Sequence, residues 1–223
     1  SACLVGSEMC IRDRKSAMPN PNFDLYEKLI EMDIPVVFFN GYYPSLSGTY
    51  SVCADNQAGG AELVRHLIER GHTKIAGFFK SDDIQGHQRY SGFISELFRN
   101  GLIIPDENVF WYITETKEDL FDNPQEVLNR LGDNTAVVCY NDEVAFGLIK
   151  CLLSAGRRVP EDVAVVSFDN SNLSRISPVT ITSLSYEDRN IGRIAAQKLV
   201  DILNGKEVTS EVLPWTFIQK ESS

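Results

Sequence analysis

The chain has 223 residues, 43% of them hydrophobic and 23% charged, enough for one large folded unit or two smaller ones with buried cores. A formal charge of −10 makes it a poor match for duplex DNA, where affinity comes from Lys and Arg displacing counterions. No run approaches the roughly eighteen apolar residues that span a bilayer, and Cys3, Cys10, Cys53, Cys139 and Cys151 form no CxxC pair, so no membrane partner, metal or other cofactor is expected.

The opening stretch, SACLVGSEMCIRDR, fits a buried strand badly because Glu8, Arg12, Asp13 and Arg14 crowd it with charge. From residue 35 onward, short β-rich runs alternate with amphipathic stretches. PVVFFN (35–40) and SVCAD (51–55) read as strands, and Asp55 or Asn56 caps a helix over QAGGAELVRHLIER that stops at Gly71. KIAGFF (74–79) is a strand followed by the polar loop KSDDIQG. Tyr90, Phe93, Ile94, Leu97 and Phe98 recur at helical spacing, and Gly101 ends that helix.

NVFWYI (108–113) is the next strand and PQEVLNRL the next helix. TAVVCY (135–140) precedes a helix over 142–155, with Gly156 as its stop, and VAVVSF (163–168) follows. TITSLS (180–185) reads as extended, 188–203 as a long helix, and VLPWTFIQ as the closing run. Alternating strands and helices, with continuous Val, Ile and Phe runs in the strands, predict an α/β fold whose parallel sheets are covered on both faces.

Ligands of open parallel sheets bind beyond the carboxyl ends of the strands, so the residues just after each strand are the candidates. They are Lys80-Ser81-Asp82-Asp83, with His87 and Arg89 close behind; Thr114 and Glu115, with Trp111 and Tyr112 near the strand's end; Asn141-Asp142-Glu143; and Asp169-Asn170-Ser171. Planar amides, carboxylates and a guanidinium pair with vicinal hydroxyls, and aromatic rings pack against the C–H face of a sugar, so a monosaccharide needs this mixture. Each residue also has a plainer role. Asn141 or Asp142 caps a helix, Asp82 and Asp83 form a solvated loop, Trp111 is core, and Arg89 makes a surface ion pair; Asp169, directly after an apolar strand, is the hardest to explain that way. Enzyme signatures are mostly missing: GxSxG, HExxH, a P-loop and GxGxxG after a strand are absent, and His66, His72 and His87 lie on separate segments. A protein that binds without catalysing is expected.

The segments DNQAGGAELVRHLIERGHTKIAGFF, QRYSGF, VVCYNDEVAFGLIKCLLSAGRRVPEDVAVVSFDN and PVTITSLSYEDRNIGRIAAQKLVDIL resemble the effector-binding domain of the lactose/galactose-repressor family, itself related to periplasmic sugar-binding proteins. FKSDDIQGHQRYSGF together with CYNDEVAFGLI looks most like arabinose-responsive repressors, which join this sensor to an N-terminal winged-helix DNA-binding domain of GntR type.

The resemblance implies a periplasmic-binding-protein-like fold of two Rossmann-like lobes with the sugar between them. One lobe would comprise 15–72 plus 187–212 and the other 73–186 plus 213–223, with crossovers near His72, 186–187 and 213–214. It maps the family's gripping Arg, Asn and Asp onto Arg89, Asn141 and Asp169; Asp83, Trp111 and Asp142 complete the expected ligand set. It further implies a cytoplasmic homodimeric repressor, with L-arabinose or a similar pentose as effector and operator DNA bound through a domain outside this chain.

Two departures stand out. Ser167 replaces the family's usual Gly and puts a side chain near the pocket backbone, and the first lobe lacks two strand–helix units at its start. Residues 1–14 resemble a translated sequencing-adapter read-through and are expected to be foreign to the fold. A transporter's solute-binding protein and a small sugar-acting α/β enzyme are the alternative readings.

Overall fold

The computed structural model describes residues 3–5, 22–186 and 190–223, and its contacts divide them into two units. The first takes the described residues up to Asp55, together with Asp82–Ile84 and those from Tyr186 to Pro214; the second takes Asn56–Ser81, Gln85–Ser185 and Trp215–Ser223.

In the first unit, strands β1 (Cys3–Val5), β2 (Val36–Phe39), β3 (Tyr50–Ala54) and β9 (Glu211–Leu213) form one parallel sheet in the order β1-β2-β3-β9. Helix α1 (Phe23–Glu31) packs on β2 through an aromatic cluster. Tyr26, fully buried, meets Phe38 edge-on at 5.3 Å, and Tyr43 lies 5.4 Å from Phe38. Helix α6 (Ile191–Leu203) lies against β2 and β3 and buries Ile191, Ala195 and Leu199. Its expected first residues, 188 and 189, lie outside the described residues. Of the opening fourteen residues, Cys3–Val5 pair in register with Val36–Phe38, and the remainder lie outside the described residues.

The second unit is built on six strands in the order β10-β8-β7-β6-β4-β5. These are β4 (Ile75–Lys80), β5 (Val109–Tyr112), β6 (Ala136–Cys139), β7 (Ala164–Phe168), β8 (Thr182–Ser185) and β10 (Thr216–Ile218). All neighbours are parallel except β10, which runs antiparallel to β8. Alternate residues of each strand enter opposite cores, as a two-residue repeat requires. Ile75, Phe79, Ala136, Val138, Val166 and Phe168 pack with helices α2 (Asn56–Glu69) and α3 (Ile84–Arg99). Phe78, Val137, Cys139 and Val165 pack with α4 (Pro124–Leu131) and α5 (Asp142–Ser154). Both faces are covered, so the strands read as continuous apolar runs.

The expected boundary near His72 is displaced: α2 belongs to the second unit, and the division falls between Asp55 and Asn56. Leu63, Val64 and Leu67 are fully buried in the same core as Ile75 and Phe79, which ties the helix to the sheet that follows it. Leu213 and Pro214, expected in the second lobe, lie with the first. Phe98 also departs from its periodic reading and is 76% exposed. The buried face of α3 instead runs through Gly86, Arg89, Gly92, Phe93, Glu96 and Leu97.

That rotation follows from a close helix–helix approach. A Cβ on Gly60 would strike the Arg89 carbonyl, and one on Gly92 would strike the Gln57 carbonyl, so α2 and α3 touch backbone to backbone. Gly60→Ala should therefore destabilise the chain by about 1–3 kcal/mol through overpacking, despite alanine's better helix propensity. Urea unfolding monitored by circular dichroism measures this, and an unchanged midpoint would contradict the close approach.

Candidate functional site

Strand order in the second unit reverses direction between β4 and β6. The chain leaves β4 for the outer strand β5, whereas β6 leads to β7 and β8 on the other side. Their following helices, α3 and α5, lie on opposite faces of the sheet. Such a switch point opens a crevice beyond the carboxyl ends of the two strands. Arg89 sits early in α3 after β4, Tyr140 to Asp142 directly after β6, and Asp169 directly after β7.

Arg89 is 3% exposed. Its Nε donates to Asn56 Oδ1 at 3.0 Å, its Nη1 to the Tyr140 carbonyl, and its Nη2 to Asp169 Oδ1 at 3.1 Å. The guanidinium carbon also lies 4.2 Å from the centre of the Phe168 ring, 4.8 Å from that of Tyr140 and 5.5 Å from that of Trp215. A buried cation is tolerable only with its donors aimed at acceptors, and this planar fork is matched by an amide, a carbonyl and a carboxylate. Aromatic faces add favourable quadrupole contact. The plainer reading of Arg89 as a surface ion pair is therefore replaced by a buried one.

Asp169, at 31% side-chain exposure, is the solvent-facing end of this pair. Its backbone takes φ +94° and that of Asn170 takes φ +47°. Non-glycine residues rarely adopt such conformations and need surrounding bonds to hold them there. Three consecutive amides supply those bonds. Asp169 N donates to the Leu184 carbonyl at 2.8 Å, Asn170 N to Ser183 Oγ at 3.0 Å, and Ser171 N to Asp142 Oδ2.

Asp142 is 1% exposed, and both its carboxylate oxygens have protein partners. Oδ1 accepts from the hydroxyls of Ser167 and Ser183, and Oδ2 accepts from Ser171 N. Ser167 faces the α5 side of the sheet, where its hydroxyl completes this cluster. Burial raises the Asp142 carboxyl above its ordinary value of 3.8; the bonds from Ser167, Ser183 and Ser171 oppose that shift and are outweighed.

Asn141 is the N-cap of α5, with Oδ1 accepting from Val144 N at 3.0 Å. Trp111 lies on the outer strand β5 and packs on Tyr90 at 4.9 Å, His87 at 5.7 Å and Phe79 at 5.9 Å, apart from the rings around Arg89. Asp83 falls in the Asp82–Ile84 stretch grouped with the first unit. The structure thus joins Arg89 directly to Asp169, ties Arg89 to the Tyr140 carbonyl that precedes Asn141 in the chain, and places Asp142 behind the turn. Sequence reasoning missed Asn56, Tyr140, Phe168 and Trp215. Trp215, next to the expected crossover at 213–214, was the signal most open to recognition.

At the opposite ends of the strands, an open hollow is lined by Asp133, Asn134, Thr135, Arg157, Glu161 and Asp162. Asp133 is engaged there by Lys74, and Asp162 by Arg158. Among the described residues, no group of three or more His, Cys, Asp or Glu side chains could hold a metal, and no helix is long and apolar enough to cross a membrane.

The chain belongs to the periplasmic binding protein-like domain family, whose model matches residues 64–223. It is 34% identical over 200 residues to the arabinose metabolism transcriptional repressor of Halalkalibacterium halodurans, covering 87% of this chain and 52% of that protein. It is 35% identical over 205 residues to the protein of the same name from Geobacillus stearothermophilus, covering 91% and 56%. Among solved structures, the cellobiose complex of the transcriptional regulator CelR matches with a TM-score of 0.81 at 29% identity, over 92% of this chain and 63% of that one. These findings bear out the resemblance to lactose/galactose-type regulators and the periplasmic-binding-protein-like α/β fold. The chain spans about half the length of the curated relatives it matches.

The raised Asp142 carboxyl has a definite consequence for stability. A carboxyl whose folded pKa exceeds its unfolded one favours folding when protonated, and that advantage is lost as pH rises from the unfolded value through the folded one. Asp142→Asn removes the titration, so its stability relative to the parent chain should rise across that interval and level off above it. Paired urea titrations from pH 3.5 to 8 should show this; a constant difference would mean that Asp142 titrates normally.

Proposed function

We propose that this chain is the sugar-sensing effector domain of a bacterial transcriptional repressor, responding to L-arabinose or a similar pentose. The observation that carries the reading is the Arg89–Asp169 pair at the switch point of the second unit's sheet. Asp169 is exposed enough to accept from vicinal hydroxyls, while Arg89 fixes the carboxylate in place and is itself held by Asn56 and the Tyr140 carbonyl. Asn141, next to Tyr140 in the chain, adds an amide, and Trp215 supplies an aromatic face close to the guanidinium. Hydroxyl-to-carboxylate bonds of this kind contribute about 1.5–3 kcal/mol each, so a few of them select one polyol.

The similarity to two arabinose metabolism repressors favours a pentose. In this reading the protein acts in the cytoplasm as a homodimer and binds without catalysing. A net charge of −10 assigns contact with operator DNA to another part of the protein. The sugar acts by binding one conformational state of the repressor more tightly than the other, since equal affinity for both would shift nothing.

Thermal unfolding with L-arabinose, D-xylose, D-ribose and cellobiose tests the assignment. One pentose should raise stability by about 2.7 kcal/mol at a hundredfold excess over its dissociation constant. Asp169→Ala and Arg89→Ala should each abolish the shift. No stabilisation by any of these sugars, or turnover of one of them, would overturn the proposal.

A further inference from the structure

We propose that Asp142 is a positioning residue for the sugar site: its buried carboxylate holds the Asp169–Asn170–Ser171 turn in its left-handed course and so aims Asp169 at Arg89. The sugar-affinity part of this inference rests on the function proposed above; the part concerning the turn does not. Asp142 opens α5 after β6, whereas the turn follows β7, so the carboxylate links the exits of two adjacent strands. Oδ2 accepts from the Ser171 amide, and Oδ1 accepts from Ser167 Oγ and Ser183 Oγ. Ser183 Oγ in turn accepts from the Asn170 amide, so one carboxylate governs two successive amides of the turn.

The far side of the turn is anchored independently. Lys220 Nζ donates to Asn170 Oδ1 and to Ser174 Oγ, both at 2.7 Å, and Ser174 Oγ donates to the Ser171 carbonyl at 2.8 Å. With the Asn170 side chain held at one end and the Asp169 amide by the Leu184 carbonyl, loss of Asp142 loosens the backbone amides of Asn170 and Ser171 that maintain the positive φ of Asp169 and Asn170.

The chemistry predicts an ordering of variants. Asp142→Ala leaves the Ser171 amide buried without its acceptor. Asp142→Asn can turn its oxygen toward that amide and its nitrogen toward the two hydroxyls, which rotate to accept, so it should act as a rescue. Val165→Ala, in the core on the same strand as Ser167, is the control that lowers stability without touching the turn. Ser183→Ala is a milder second variant that keeps the carboxylate and removes the acceptor of the Asn170 amide.

Native-state amide exchange followed by NMR, and L-arabinose affinity by calorimetry, test the proposal on the full chain. Relative to Val165→Ala, Asp142→Ala should speed exchange at Asn170 and Ser171 by about tenfold or more and weaken sugar binding similarly, with Asp142→Asn within about threefold of the parent on both. Ser183→Ala should release the Asn170 amide, and it decides the matter if Asp142→Ala does not fold. Exchange at the turn in Asp142→Ala no faster than in Val165→Ala would overturn the inference, as would failure of Asp142→Asn to rescue. If the parent chain binds no sugar, the proposed function fails, and the exchange data still decide the role of Asp142 in the turn.

Discussion

A guanidinium buried to 3% exposure organises the second unit. Burying a positive charge is costly unless its donors find acceptors, and leaving one partner out costs more than the pair contributes. Arg89 therefore dictates that an amide from α2, the carbonyl after β6 and a carboxylate after β7 converge at one point. Three separate segments of the chain must be correctly placed before this charge is tolerable. Such convergence also gives the rigidity that the proposed discrimination among small polyols requires.

The surrounding sheet meets that demand in an identifiable way. The Gly60–Arg89 and Gly92–Gln57 approaches let α2 lie directly on α3, bringing Asn56 within reach of the guanidinium. On the other face of the sheet, Ser167, Ser183 and Asp142 form a small polar cluster within an otherwise apolar core. A buried polar cluster is stable when its members satisfy one another, and this one also fixes the turn that carries Asp169. The charged pair and the hydroxyl–carboxylate cluster thus hold the same three-residue turn from opposite faces of one sheet.

Much of the fold was legible in order and type. Strands 75–80, 136–139 and 164–168 lie within a residue or so of their apolar runs because parallel strands buried on both faces leave few polar residues inside them. Gly71, Gly101 and Gly156 end their helices at positive φ, the conformation for which glycine is favoured. Phe98 misled because helical periodicity defines an apolar stripe but not which part of it meets a neighbour. The first boundary misled because an amphipathic helix such as α2 can pack on either neighbouring sheet, and only its shared core with Ile75 and Phe79 assigns it.

The candidate site divides along the same line. Arg89, Asn141 and Asp169 could be singled out because each follows a strand, and position relative to a strand end is a property of the chain itself. The partners of Arg89 could not be: Asn56 and Trp215 are 33 and 126 positions away, and their approach depends on helix packing and on the return of β10 to the sheet. Nor could the place of Asp142 behind the turn be read, since capping and ligand binding call for the same residue at the same position. Local pattern determined the kind of elements, their order and the polar residues at their ends; tertiary packing alone decided which charges met, which side chain faced solvent and which was turned inward, because burial and hydrogen-bond geometry are set by atoms far apart in the chain.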